Sequence, residues 1–412
     1  MTDAPSPLVL PRSDPKPDSP SVRPVLFLVM AVCSGATVAN VYLAQPLLKL
    51  FADGLGVPHS SAGAVVTCAQ FGYAAGILFL VPMGDVRRRR PLLAAMLTAT
   101  VVMLLAAAAA PGLAVLAAAT ALVGTATVIP QVLVPLASEL AAPDKRAAVV
   151  ANVQIGLMTG IVGSRVIGGT VGELLGWRAV YILAATLTAL TGALTLWLLP
   201  GEGSRPAMSY GSLLASLPRM VRDEPSVRHA CVLHGTLFGA YSATWTTLVL
   251  VLTGDHYGYS SAVAGLFGVL GLAGALTAPW AGRFIDRRGA LPIIFSALLM
   301  TLASAGAYAL GGSSLSAMIV AIVLANVAVQ WSQIANQARI FGYLPQARSR
   351  ANTVYMVAVF LSGAIAAAVA SACYGTWGWG GVCAVQATLA LIGLLTLPLM
   401  RRHDRRHPLA TR

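Results

Sequence analysis

The sequence predicts an all-α membrane protein with twelve transmembrane helices arranged as two similar halves of six. Hydrophobic residues make up 57% of the 412 residues and charged residues only 10%, whereas about a quarter of a soluble domain is charged. The mean hydropathy is +0.77. A basic nucleic-acid-binding or disordered chain would carry its net charge of +13 on a polar surface, and this composition leaves little of that surface. Both of those classes are therefore excluded.

Apolar stretches recur along the whole chain, each near the length of about 20 residues that a transmembrane helix needs. They form a predicted N-terminal half, 25–199, and a C-terminal half, 229–400, joined by a polar central loop at 200–228. Residues 1–24, rich in Pro and Ser, are predicted to be a disordered tail without a signal peptide, and 401–412 a basic tail. The twelve predicted spans are 25–48, 61–83, 91–110, 113–138, 147–171, 178–199, 229–252, 261–281, 290–311, 314–337, 351–373 and 379–400.

The distribution of Arg and Lys predicts the orientation of the chain in the membrane. If the N-terminus is cytoplasmic, 24 of the 27 basic residues fall in cytoplasmic segments. The other side keeps only Lys49 and Arg178, and Arg165 lies within span 5. Because positively charged loops are retained in the cytoplasm, both termini are predicted to be cytoplasmic. A topology anchor is the simplest interpretation of most of these clusters, including Arg339 after span 10.

Three short signatures occur in both halves at an offset of about 200 residues, which indicates an internal duplication. Repeated six-helix halves are typical of secondary transporters that bind their substrates between the halves. The paired signatures are Gly84-Asp85-Val86-Arg87 with Gly282-Arg283-Phe284-Ile285-Asp286-Arg287, Pro143-x-x-Arg146 with Pro345-x-x-Arg348, and Trp177 with Trp379.

The loop after span 2 resembles the major facilitator superfamily signature Gly-x-x-x-Asp-Arg-x-Gly-Arg-Arg. The second copy, 282–289, matches its first eight positions, whereas Asp85 directly follows Gly84 in a compressed first copy. Segments 40–48, 160–178 and 336–356 are similar to those of bacterial twelve-span exporters of drugs and metabolites. The resemblance covers residues 25–400 and implies a monomeric drug:proton antiporter of the bacterial inner membrane.

The resemblance also implies a role for the two loops in gating. Asp85 and Asp286 would hold the halves together in the outward-facing state and release them during the cycle. A tight turn with Arg anchors at the lipid surface is the alternative interpretation. The residues assigned to gating are Gly84, Asp85, Arg89, Gly282, Asp286 and Arg287.

Arg165 is the one charged residue predicted deep within a span, where an ionisable side chain is costly and is by default a functional candidate. It replaces the Pro of the family's antiporter motif Gly-x-x-x-Gly-Pro-x-x-Gly-Gly in this helix. We expect Arg165 either to bind an anionic or hydrogen-bonding substrate or to hold the halves together through structural contacts.

Polar and aromatic side chains concentrate in spans 1, 4, 7 and 10, which face the central cavity in this fold. In span 10, Asn326, Gln330 and Gln333 share one helix face. Such a surface suits a mostly apolar ligand held by a few hydrogen bonds, although the same residues could bond between helices. With Arg165, the predicted cavity residues are Asn40, Tyr42, Gln45, Gln131, Tyr241, Trp245, Asn326, Gln330 and Gln333.

Proton coupling needs a group that changes its protonation state, and no Asp or Glu is predicted deep in a span. The candidates are Glu139 and Glu173 near span ends and His234 in span 7. Ordinary helix-end carboxylates and a core histidine are the alternative interpretations.

These features predict a secondary transporter that exports a small amphipathic drug, antibiotic or metabolite, with protons and membrane lipid as further partners. Uptake of a small nutrient such as a sugar or organic acid is the alternative, because the fold does not decide direction. An ATP-driven pump lacks support because no Gly-x-x-x-x-Gly-Lys-Ser/Thr loop occurs, and a membrane enzyme would need clustered acids or histidines. A receptor or channel fits the two-half repeat less well. No cofactor, metal site or nucleic-acid partner is predicted.

Overall fold

The computed structural model describes residues 24–142, 145–200 and 209–406. Most of the predicted N-terminal tail, Pro143, Arg205 and the last six residues of the basic tail lie outside this range. Across the described residues the chain is helical, without a strand, and eleven helices are long and apolar enough to cross a membrane. The last of them, Arg348–Arg406, is two helices joined at Gly378, whose φ of 59° and ψ of −150° are not helical. The twelve-span prediction is therefore confirmed.

Each predicted span corresponds to a helix or to two helices in line. Spans 4 and 8 are interrupted, and spans 11 and 12 are the parts of Arg348–Arg406 before and after Gly378. In order, spans 1 to 10 are Pro24–Tyr42, His59–Phe79, Arg89–Ala108, Leu113–Ala126 with Ile129–Leu140, Arg146–Leu175, Trp177–Leu198, Pro225–Leu252, Ser261–Leu266 with Leu272–Arg288, Ala290–Gly311 and Leu315–Tyr343. Shorter elements are the 3₁₀ turns Gln45–Leu47 and Phe267–Gly271 and the helices Leu48–Leu55, Met83–Val86 and Tyr210–Asp223.

The segment predicted as a central loop contains the helix Tyr210–Asp223. Its buried side chains, Leu213, Leu217 and Met220, recur at helical spacing, whereas Arg219 and Arg222 are exposed. The Tyr210 hydroxyl donates a hydrogen bond to the Phe79 carbonyl at 2.7 Å, which fixes the helix against the end of span 2. The segment is polar on average because only one face of this short helix is apolar, and its average polarity therefore predicted a loop.

Large apolar side chains cover the outer surface of the bundle. Leu190, Trp197, Leu276 and Leu395 are each more than 60% exposed and lie on three different spans, 6, 8 and 12. Soluble monomers rarely expose so much apolar surface, whereas a lipid bilayer solvates it. The exposure pattern therefore agrees with a bundle that is surrounded by lipid.

The two halves meet along two seams. We call the end of the bundle that carries Asp85 and Arg87–Arg90 the basic end, and the other the opposite end. The 2/11 seam, formed by spans 2 and 11 with span 7, runs between both ends. Midway, Gln70 Nε2 donates to Ser242 Oγ at 2.7 Å, and Ser242 Oγ donates back to Gln70 Oε1 at 3.0 Å. The rings of Tyr73 and Phe360 pack beside this pair, with centroids 4.4 Å apart.

The 5/8 seam, formed by spans 5 and 8, is confined to the opposite end. There Glu173 Oε2 accepts a hydrogen bond of 2.7 Å from the Ala262 amide. Gly169 packs against the backbone of Ser261, so close that a Cβ on the glycine would lie 2.5 Å from the Ser261 carbonyl oxygen. Towards the basic end the two spans separate, and Ile155 and Leu276 are 63% and 73% exposed.

Candidate functional site at Arg165

Arg165 lies where the two halves meet and is only 2% exposed. Side chains on a helix lean towards its N-terminus, so the guanidinium points from span 5 towards the basic end. Nε donates to Gln45 Oε1 at 3.1 Å, and Nη2 donates to the Tyr241 hydroxyl at 2.9 Å. Because Gln45 belongs to the N-terminal half and Tyr241 to the C-terminal half, Arg165 joins the halves near the middle of the bundle.

Three aromatic rings surround the guanidinium. Its Cζ atom lies 3.8 Å from the Trp245 ring centroid, 5.6 Å from that of Tyr42 and 5.9 Å from that of Tyr241. A cation over the face of an aromatic ring is stabilised by the ring quadrupole, most strongly over Trp. Among the described residues no carboxylate lies within 4 Å of the guanidinium. Within the part of the chain that the structure describes, the guanidinium is therefore surrounded by neutral groups and its charge has no counter-charge beside it.

A row of glycines on span 8 makes room for this side chain. A Cβ built on Gly265 would clash with the Arg165 carbonyl oxygen, and one built on Gly268 would lie 2.8 Å from Arg165 Cβ. One built on Gly271 would lie 3.7 Å from Arg165 Nη1 and 3.3 Å from Asn326 Oδ1. The 3₁₀ turn Phe267–Gly271 has three residues per turn, which keeps glycines at this spacing on one face. The Gly-x-x-Gly-x-x-Gly spacing of Gly265, Gly268 and Gly271 is a signal in the sequence that could have indicated close packing of span 8 against Arg165, and it was not used to predict the site.

Five of the predicted cavity residues are found around Arg165. Tyr42, Gln45, Tyr241 and Trp245 contact or face its guanidinium. Asn326 faces it across Gly271, with Nδ2 donating to the Ile322 carbonyl at 2.8 Å. Residues far apart in sequence thus form one group of polar and aromatic side chains.

The other predicted cavity residues have different neighbours. Asn40 Nδ2 donates to the hydroxyls of Thr127 and Thr188, both at 3.2 Å, so this amide ties three spans within the N-terminal half. Gln131 Nε2 donates to the Tyr73 hydroxyl at 3.5 Å. Gln330 packs beside Gly274 of span 8, and Gln333 is half-buried.

None of the three candidates for proton coupling contacts the Arg165 guanidinium within the described part of the chain. Glu139 forms a bidentate ion pair with Arg89, at 2.7 and 2.8 Å, at the basic end. Glu173 contacts span 8 at the opposite end. His234 is buried, with Nδ1 3.0 Å from Ser332 Oγ and its ring stacked on Tyr355 at a centroid distance of 5.5 Å.

The two gating loops differ in their contacts. Asp85 Oδ2 accepts a hydrogen bond of 3.1 Å from Ser349 Oγ, which links the halves at the basic end. Arg89 Nε donates to the Gly84 carbonyl at 3.2 Å. In the second loop, Asp286 and Arg287 are exposed without a hydrogen bond to any described residue, and a Cβ on Gly282 would meet open space. The compressed first copy, which matches the family signature less well, is the one that contacts the other half.

The structure corrects the interpretation of Arg339 as a topology anchor, because its side chain is buried within the protein. It is 2% exposed within the end of span 10, where Nη2 donates to Asp404 Oδ1 at 2.6 Å and Nη1 to the Ser226 carbonyl at 3.1 Å. A buried guanidinium is costly unless an opposite charge and hydrogen-bond acceptors lie beside it. The carboxylate of Asp404, in the helix that continues span 12, supplies both. The sequence does not reveal this pair because its members are far apart in the chain.

Comparison with known proteins agrees with this architecture. The sequence profile of the Major Facilitator Superfamily matches residues 27–316 and 230–412. A probable transporter of Streptomyces coelicolor is 43% identical over 95% of this chain and 92% of its own length. An uncharacterized transporter, YgaY, of Escherichia coli O157:H7 is 39% identical over 91% of this chain and 95% of its own.

Among solved structures, a crystal structure of the nucleoside transporter NupG has a similar fold. Its TM-score is 0.74 at 13% identity, with 92% of this chain and 99% of NupG covered. At that identity the likeness concerns the fold alone. Together, the twelve spans, the profile match and the bacterial relatives identify a multi-pass transporter of the cell membrane that belongs to the major facilitator superfamily.

Proposed function

We propose that this transporter exports a small amphipathic compound by alternating access, in exchange for protons. The observation that carries the proposal is the position of Arg165, buried between the halves and bonded to both of them. A polar and aromatic site at this depth suits a ligand that is mostly apolar and is oriented by a few hydrogen bonds.

Separate contacts between the halves at the two ends support alternating access. At the basic end, Asp85 is bonded to Ser349. At the opposite end, Glu173 is bonded to the Ala262 amide, and Lys49 Nζ lies 3.5 Å from the Thr253 carbonyl. Because these two sets share no residue, one set can break while the other holds, and the site is then open to one side of the membrane only.

Glu173 is the proposed link to protons. Its carboxylate is exposed at the opposite end, where protons would arrive from outside in the predicted orientation. A carboxylate accepts a stronger hydrogen bond from a backbone amide than a neutral carboxyl group does. Protonation of Glu173 therefore weakens its contact with Ala262 and favours opening of the 5/8 seam at this end.

The test is compound accumulation in bacterial cells that lack their own pumps. We expect expression of the protein to lower accumulation of a drug or metabolite from a test panel. A protonophore is expected to abolish this effect, and Arg165→Ala to reduce it at matched expression. Accumulation that rises with expression would instead support nutrient uptake, and insensitivity to the protonophore would rule out proton coupling.

A further inference from the structure

We propose that the transported compound carries an acidic group, a carboxylate or a similar oxyanion, that binds Arg165. This inference rests on the proposed function and specifies the class of its substrate. It starts from the charge of the site, which no described carboxylate neutralises.

Arg165 keeps donors that no described residue accepts from. A guanidinium has five N–H donors, and its neighbours in the described residues accept from only two of them, through Gln45 and Tyr241. Nη1 makes no hydrogen bond to a described residue. A buried charge with free donors is costly, whereas a carboxylate supplies both the opposite charge and paired acceptors in the geometry that Arg prefers.

The space beside Nη1 suits an acidic group. Gly271 borders this nitrogen without a side chain, and Asn326 Oδ1 faces the same gap from span 10. Asn326 Oδ1 has no hydrogen-bond donor among the described residues, so it can accept from a hydroxyl or N–H group next to the acid. The rings of Tyr42 and Tyr241, whose centroids lie 5.6 and 5.9 Å from Arg165 Cζ, supply apolar contact for the rest of the compound.

The same geometry disfavours an organic cation. Aromatic rings attract cations, but here the guanidinium already occupies the face of the nearest ring, with Cζ 3.8 Å from the Trp245 ring centroid. A second cation would be repelled by Arg165. Since none of the described residues contributes a carboxylate near the guanidinium, nothing at the site would offset this repulsion.

The alternative is that Arg165 has a purely structural role and only connects Gln45 to Tyr241. Such a tie would not distinguish between ligands by the charge of their head groups. The experiment therefore compares benzoate, cinnamate and indole-3-acetate with the amide and the primary amine of each scaffold. Binding to the purified full-length protein is measured by thermal stabilisation and by Trp fluorescence, which can report on Trp245.

We expect at least one acid to bind and its amide and amine to bind about tenfold more weakly or not at all, because they lose the charge-assisted hydrogen bonds to the guanidinium. Arg165→Gln is expected to remove this preference, and Arg165→Lys to keep part of it because it keeps the charge. Arg178→Gln is the matched control, because Arg178 is exposed and, among the described residues, donates a hydrogen bond only to the Ala110 carbonyl.

Three results would overturn the proposal: equal binding of amides or amines, equal binding of acids to Arg165→Gln, or no binding by any acid at millimolar concentration. The accumulation assay separates this failure from failure of the proposed function. Export of a neutral or cationic compound would contradict only the acidic substrate, whereas no effect on any compound would contradict export itself.

Discussion

The two seams between the halves differ in length and in chemistry. Along the 2/11 seam, side chains interlock from the reciprocal Gln70–Ser242 pair at mid-depth to the Asp85–Ser349 contact at the basic end. The 5/8 seam is short, and at Gly169 it brings backbone against backbone. It ends at Arg165, beyond which the two spans separate.

This difference indicates what each seam does. Contacts at mid-depth lie near any axis about which the two ends could alternate, so the Gln70–Ser242 pair can persist while the ends move. Contacts at one end must break when that end opens. We therefore expect the middle of the 2/11 seam to determine stability and the 5/8 seam to determine the rate of transport.

The largest effect is expected from Gly169→Leu. A Cβ at this position would lie 2.5 Å from the Ser261 carbonyl oxygen, which is backbone and cannot rotate away. Overpacking of this kind costs about 1–3 kcal/mol, so the seam stays open and transport should fall about tenfold or more at matched expression. Gly163→Leu is the control, because a Cβ there would meet only Ile167 Cδ1 at 3.9 Å. Transport at the wild-type rate in Gly169→Leu would refute the role of this seam.

An intermediate effect is expected from Gln70→Leu, and it should appear in stability. The change removes both hydrogen bonds to the buried Ser242 hydroxyl, which should cost about 1 kcal/mol of unfolding free energy within a membrane bundle. Thermal unfolding of the purified protein measures it. Gln131→Leu, which removes a single bond of 3.5 Å, serves as the control and should cost less. Equal losses in the two variants would show that the 2/11 seam has no special part in stability.

The smallest effect is expected from Asp85→Asn. The amide oxygen can still accept from Ser349, so folding and membrane insertion should be kept while loss of the charge slows transport by about two- to fivefold. Asp286→Asn should leave transport unchanged, because Asp286 has no hydrogen bond to a described residue. Transport rates of the two variants at matched expression decide the point. An unchanged rate in Asp85→Asn would exclude a latch at this position.

Features that depend on a continuous stretch of sequence, such as the transmembrane spans, could be predicted from the sequence alone. The twelve spans follow from apolar stretches, and Arg165 stands out because a charge within such a stretch is rare. Features set by packing could not be predicted. Asn40 shares the polar character of Gln45, yet it bonds to two threonines of its own half. Likewise, the first copy of the signature matches the family less well than the second. Only the fold shows that Asp85 of the first copy, and not Asp286 of the second, forms a hydrogen bond with the other half among the described residues.

The central claim is that the two ends open in alternation around Arg165. Distances between spin labels test it most directly, with one pair at Leu175 and Val263 of the opposite end and another at Arg87 and Arg348 of the basic end. All four positions are exposed and can be labelled through introduced cysteines after replacement of the five native ones. We predict that Gly169→Leu lengthens the first distance and shortens the second. Distances that both lengthen, or that both stay fixed, would contradict alternating access in this protein.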